Sequence, residues 1–312
     1  MAGLGDPPSS SERCLAVLRL VSLIVVLFSG AWLYWHLPLG WVSISLLLTS
    51  GVAYAFLLIA THEMVHGTFL GMRRLEHSLA CLLCWPMAFP YLTYSRLHCL
   101  HHRWNGSDSR DPERTTPLQQ RRETTGRMKG FWQRQHVLLR IVFLGGLGLI
   151  ADTAIKGRRL KMVDSRLTLS QWIDGIGVTT VHTVMLIIVI ANGLLWRHLL
   201  FWLVLERVIG GIVQFRALVE HYGLWRSNDS QLLTQLYASR NVSSGSWINA
   251  LMGGLPNHGA HHAFPWIPSS RLPEANQRIA AILQSHDAES LPQFASYCEG
   301  MRWLWREGHP SD

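Results

Sequence analysis

LGWVSISLLLTSGVAYAFLLIATHEMVH, residues 39–66, is a long apolar run that ends in two histidines and a glutamate. Residues 39–61 carry no charge and match the roughly 20 residues that cross a bilayer core. His62 and His66 stand four apart, so on a helix both imidazoles face one way. The preceding apolar run, about 15–35, carries one charge, Arg19, and is separated from it by little more than His36-Leu37-Pro38. A polar tail, 1–14, followed by a first transmembrane hairpin, 15–61, is therefore expected. The long first run lacks a small-residue cleavage signature, which argues for a span over a removed signal peptide.

Working outward, a second apolar pair at about 175–196 and 198–219, joined near Arg197 and His198, predicts another hairpin over 175–219. The segments 78–92 and 137–151 are shorter and are expected to be re-entrant or interface-lying helices. Four crossings bring residues 61, 98, 221 and 258 to one side. The expected fold is an all-α integral membrane protein with four transmembrane helices in two hairpins and a histidine-rich cap. Region 62–174 holds the second histidine cluster and a basic loop, and 220–312 forms the cap, with a helical stretch from Glu274 to Ser285. Glu206 and Arg207, inside the last span, are expected to pair within the bundle.

Composition agrees: 48% of residues are hydrophobic, only 15% are charged, and mean hydropathy is +0.15. The 14 Trp fit headgroup-level anchoring. The net charge of +8 is concentrated in residues 103–172, whose surplus of Lys and Arg predicts a cytoplasmic loop attracted to anionic lipid. No base-reading motif accompanies it, so nucleic acid is not an expected partner. Five cysteines, Cys14, Cys81, Cys84, Cys99 and Cys298, show no disulfide framework.

Three histidine groups carry the chemistry: His62 and His66; His98, His101 and His102; His258, His261 and His262. The i, i+3 and i+4 spacings aim the imidazoles of each group together. Imidazole ligates Fe, Zn, Cu and Ni, but so many exceed a four-ligand zinc site and suit two octahedral ions. His221, just past the last span, is a natural further ligand. A metal-bound histidine usually gives its other ring proton to a carboxylate or carbonyl, a part that Asp108, Asp111, Glu220 and Asn257 are positioned to take. His62-Glu63-Met64-Val65-His66 also matches the HExxH zinc-protease signature, with Glu63 as base and Asp174-Gly175 as a source of a third ligand. That reading leaves the other two groups unexplained.

These residues resemble the membrane fatty acid desaturase superfamily of desaturases, hydroxylases and ketolases. Arg96 to Arg103 running into Asp111-Pro112-Glu113 is similar to its second box, and Asn257 to Pro265 to its third. Ser239-Arg240-Asn241-Val242 and Arg271-Leu272-Pro273 are similar to flanking segments, so the likeness spans roughly 40–285. Two departures are Ala217, where some desaturases have Asn, and Ala260, where many have Glu. The resemblance implies a non-haem di-iron oxidase that uses O2 and external electrons to desaturate a fatty-acyl chain. The alternatives are hydroxylation or ketolation of a hydrocarbon such as a carotenoid, since Thr61 to Thr68 and His98 to Asp108 look rather like ketolase boxes, and a metal-binding protein without catalysis. It also implies a long-chain lipid substrate and a donor of the ferredoxin or cytochrome b5 type, which Arg121, Arg122, Arg127 and Lys129 could dock.

Overall fold

The computed structural model describes Met1, residues 3–114 and residues 136–308. The basic stretch around Arg121, Arg122, Arg127 and Lys129 lies outside the described residues. Two compact units divide the chain: Met1–Pro7, Leu100–Phe143 and Gln214–Asp312 form one, and Pro8–Cys99 with Leu144–Val213 the other.

The second of these is built of long apolar helices. α1, Ser10–His36, opens with a capping box in which Ser9 accepts from the Glu12 amide and Glu12 accepts from the Ser9 amide. α2, Trp41–His66, ends at Gly67, whose φ of 72° is the left-handed C-cap favouring glycine. α1 and α2 pack against each other closely enough that a Cβ at Gly30 would sit 2.4 Å from the Ser50 hydroxyl. Buried Glu76 then braces the turn into α3, Arg73–Cys84, by accepting from the amides of Leu70 and Met72, both at 2.9 Å.

The expected helix over 78–92 is not one element. α3 ends at Cys84, a 3-10 turn covers Trp85–Met87, Ala88 adopts φ 56°, and α4 begins at Tyr91 and runs to Trp104. Pro86 and Pro90 explain the interruption, because each lacks an amide proton and restricts the residue before it.

The segment expected at 137–151 extends into α5, Val137–Leu160, a 24-residue helix broken at Gly145 (φ 49°, ψ −146°). Length and composition thus mark five helices able to cross a membrane among the described residues, against the four expected. The other two are α6, Arg166–Ala191, and α7, Leu195–His221. Their turn lies at Asn192-Gly193, before the expected Arg197-His198 corner; Gly193, at φ 67°, supplies the reversal. α5 and α7 meet backbone to backbone, since a Cβ on Gly210 would fall 2.0 Å from the Gly146 nitrogen. Glu206 pairs with Arg207, as expected, and also accepts from the Leu147 amide at 3.1 Å beyond the Gly145 break.

In the other unit, α8 (Gln231–Tyr237), α9 (Ser246–Leu251), α10 (His258–Ala263), α11 (Leu272–Ser285) and α12 (Tyr297–Glu307) follow α7. α11 covers the predicted 274–285 stretch. Two short strands, β1 (Asn241–Val242) and β2 (Gln293–Phe294), pair in parallel. Leu236, Ala260, Ala263, Ile267, Leu272 and Ile279 form the core behind α10.

Candidate metal centre

α2 and α4 bring His62, His66 and His98 together. The His62 and His98 ring centres are 4.4 Å apart, and those of His66 and His98 5.4 Å. His62 and His66 face one another from successive turns at 5.7 Å, as their spacing predicts. Tyr94, one turn before His98, stacks on its ring.

In the other unit, the last residues of α4, the end of α7 and the whole of α10 supply the remaining histidines. One ring nitrogen from each of His101, His221 and His262 lies within 4.8 Å of the others, and all three residues are buried. His102 stacks on His262 at 4.3 Å and meets His261 edge to face at 4.8 Å. His258 approaches His221 and His262, with Nε2 to Nε2 separations of 2.8 and 3.1 Å. α4, Tyr91–Trp104, carries His98 and, one turn on, His101 and His102.

The outer nitrogens are fixed by neighbours. His101 Nδ1 donates to Asp111 Oδ1 at 2.8 Å. His262 Nδ1 donates to Gln235 Oε1 at 3.1 Å, and the amide of Gln235 is oriented by its own donation to the Asn105 carbonyl at 3.0 Å. His221 Nδ1 donates to the Ala238 carbonyl at 3.4 Å. With Nδ1 protonated, each Nε2 carries a lone pair aimed at the cluster. Burial, reinforced by neighbouring imidazoles, holds His258 and His262 well below the usual histidine range, so both stay neutral and able to ligate.

This donor set fits bound metal. Nε2 lone pairs of His221 and His262 both converge on His258 Nε2, which has at most one proton to share. A cation resolves that repulsion, and soft-to-borderline imidazole donors suit iron or zinc. Glu220 is buried, 3.4 Å from His258 Nε2 and paired with Arg216 at 3.1 Å.

Not every expected partner reaches a histidine. Asp108 is bound by Arg110 near the surface, at 2.6 Å. The Asn257 side chain donates to the Gly254 carbonyl instead. Glu63, the base of the protease alternative, is held by Arg19 at 2.5 Å, and Asp174 accepts from Trp85, Leu92 and Thr93. Gln235 had no spacing signal in the sequence; its role follows only from α8 lying against α10.

A family model described as "Fatty acid desaturase" matches residues 39–292, which include all three histidine groups and His221. The chain belongs to the fatty acid desaturase family. A sphingolipid delta(4)-desaturase, DES1 of Drosophila melanogaster, is 25% identical over 290 residues, covering 91% of this chain and 78% of the relative. As a desaturase-family member the protein is an oxidoreductase, and its apolar helices make it an integral membrane protein.

Family membership gives meaning to the four-residue run, Ser239–Val242, that ends in β1. The Arg240 guanidinium donates to the carbonyls of Val219 (2.6 Å) and Tyr222 (3.3 Å), satisfying the buried C-terminal end of α7 beside His221. Asn241 Oδ1 accepts from the Gly259 amide at 2.8 Å, holding the first turn of α10 beside His258. In this family member the Ser239–Val242 segment anchors two histidine-bearing ends at once.

Proposed function

We propose that the protein desaturates the hydrocarbon chain of a membrane lipid, with O2 as co-substrate and electrons from an external donor. Its proposed metal ligands are His62, His66, His98, His101, His102, His221, His258, His261 and His262. Bound there, two iron ions would activate O2, the oxidant, to break an unactivated C–H bond. The chain's own residues do the orienting: Asp111, Gln235 and the Ala238 carbonyl keep the Nδ1 protons outward, and the apolar helices hold the lipid. The observation that carries the reading is the family match across residues 39–292 with every histidine group inside it. The name of the sphingolipid desaturase relative favours a lipid chain, including a sphingolipid chain, over a carotenoid ring.

The proposed topology keeps four crossings, with α5 dipping into the membrane and returning. The Tyr34 hydroxyl donates to the Arg197 carbonyl at 3.0 Å, which puts the end of α1 and the start of α7 at one level. Val137 packs with Val219 and Tyr222, which puts the start of α5 at the level where α7 ends. In the proposed topology α6 follows α5 through residues 161–165 and α5 returns to the side it entered from, with the Gly145 break as its bend. Arg73, Arg74, Lys156, Arg158, Arg159, Lys161 and Arg166 flank this side, which supports the cytoplasm.

Expression in a host that makes saturated acyl lipids and β-carotene, with chromatography of both pools, tests the reaction. A new double bond in the lipid pool is expected. An oxygenated carotenoid with an unchanged lipid pool would overturn it.

A further inference from the structure

Asp174 is a buried carboxylate in α6, in the middle of an apolar sequence. Both of its oxygens are engaged. Oδ1 accepts from the Trp85 indole at 3.0 Å and from the Leu92 amide at 3.2 Å. Oδ2 accepts from the Thr93 amide and the Thr93 hydroxyl, both at 2.8 Å.

Leu92 and Thr93 are the second and third residues of α4, and the first amides of a helix have no partner within it. A negative group is favoured at that end by the aligned peptide dipoles. Pro90, which precedes α4, has no side-chain acceptor to serve as a local cap. The cap comes instead from α6, 81 residues later in the sequence. About 8 Å further along α4, at 1.5 Å per residue, His98 meets His62 and His66.

We propose that Asp174 is a positioning residue: by docking the start of α4 on α6, it sets where His98 stands against His62 and His66. Its functional meaning rests on the metal-centre reading above, while the docking itself does not. Glu206 provides the internal comparison. It caps the Leu147 amide in the same manner, on α5, a helix that carries none of the box histidines.

The test uses full-length protein in detergent, as wild type and as Asp174→Asn, Glu206→Gln, Thr93→Val and Thr93→Ser. Three readouts are taken: thermal midpoint, cobalt(II) titration followed by visible absorption, and amide exchange along α4. Asp174→Asn is expected to weaken cobalt binding roughly ten-fold, to change the absorption band, and to speed exchange as far as Arg96–Cys99. Glu206→Gln is expected to lower the midpoint while leaving cobalt affinity and spectrum unchanged. Thr93→Val should fall between, and Thr93→Ser should behave as wild type. If Asp174→Asn fails to fold, Thr93→Val carries the comparison. A wild-type cobalt spectrum and midpoint in Asp174→Asn, with faster exchange confined to Leu92 and Thr93, would overturn the proposal. Should the wild type take up no cobalt, the metal-centre reading fails. The spread of exchange in Asp174→Asn then still decides: reaching Arg96–Cys99 supports docking, and confinement to Leu92 and Thr93 rejects it.

Discussion

Asp111 decides which nitrogen of His101 faces inward. The carboxylate lies 2.8 Å from Nδ1 and is itself buried, so its removal frees the ring to turn and the tautomer to change. Asp111→Ala is expected to lower metal affinity by on the order of ten- to a hundred-fold, measured by metal titration of purified protein. Asp108→Ala should leave that affinity unchanged, because Asp108 pairs with Arg110 at the surface and touches none of the described histidines. Equal losses from the two would show that the Asp111 contact does not orient His101. At this scale the convergence within each of the three histidine groups was legible from spacing, since i, i+3 and i+4 positions share a helix face, whereas His221 was noticed from its place after the last span. Asp111 was legible because it follows the second group closely. Gln235 was not, because its contact with His262 joins segments distant in sequence, and Arg240 was marked only by its family-like segment, since its hold on the end of α7 carries no periodic mark.

The elements were legible where one strong signal acted. The first hairpin and α11 appear nearly where hydropathy and helical pattern put them. The α6–α7 turn moved because Asn192-Gly193, with glycine at φ 67°, outweighs the charged Arg197-His198 pair as a helix stop. Arg197 instead tucks its guanidinium onto the carbonyls of Tyr34 and Leu37. α5 outgrew its expected length because Gly145 bends the helix without ending it. The close α5–α7 contact depends on small residues, as is common between membrane helices. Gly210→Ala adds a methyl where the Gly146 nitrogen is 2.0 Å away and is expected to cost about 1–3 kcal/mol. Gly211→Ala, with open space around it, should be near neutral. Thermal midpoints in detergent check both, and equal midpoints would reject the contact.

For the whole molecule, the proposed two-iron site requires both hairpins to deliver their ends to one side. The proposed four-crossing arrangement puts Val163 on the side of His62 and His258, and Gly193 on the opposite side with Pro38. Accessibility of single cysteines introduced at these three loop positions in sealed membranes is expected to follow that pattern. Finding position 163 with 193 would mean that α5 crosses fully. Beneath the topology lies the claim that the all-imidazole clusters hold two irons. Its most direct test is the metal content of the purified chain and of His261→Ala. The account predicts close to two irons per wild-type chain and a marked loss in the variant; a single zinc that survives the substitution would contradict it.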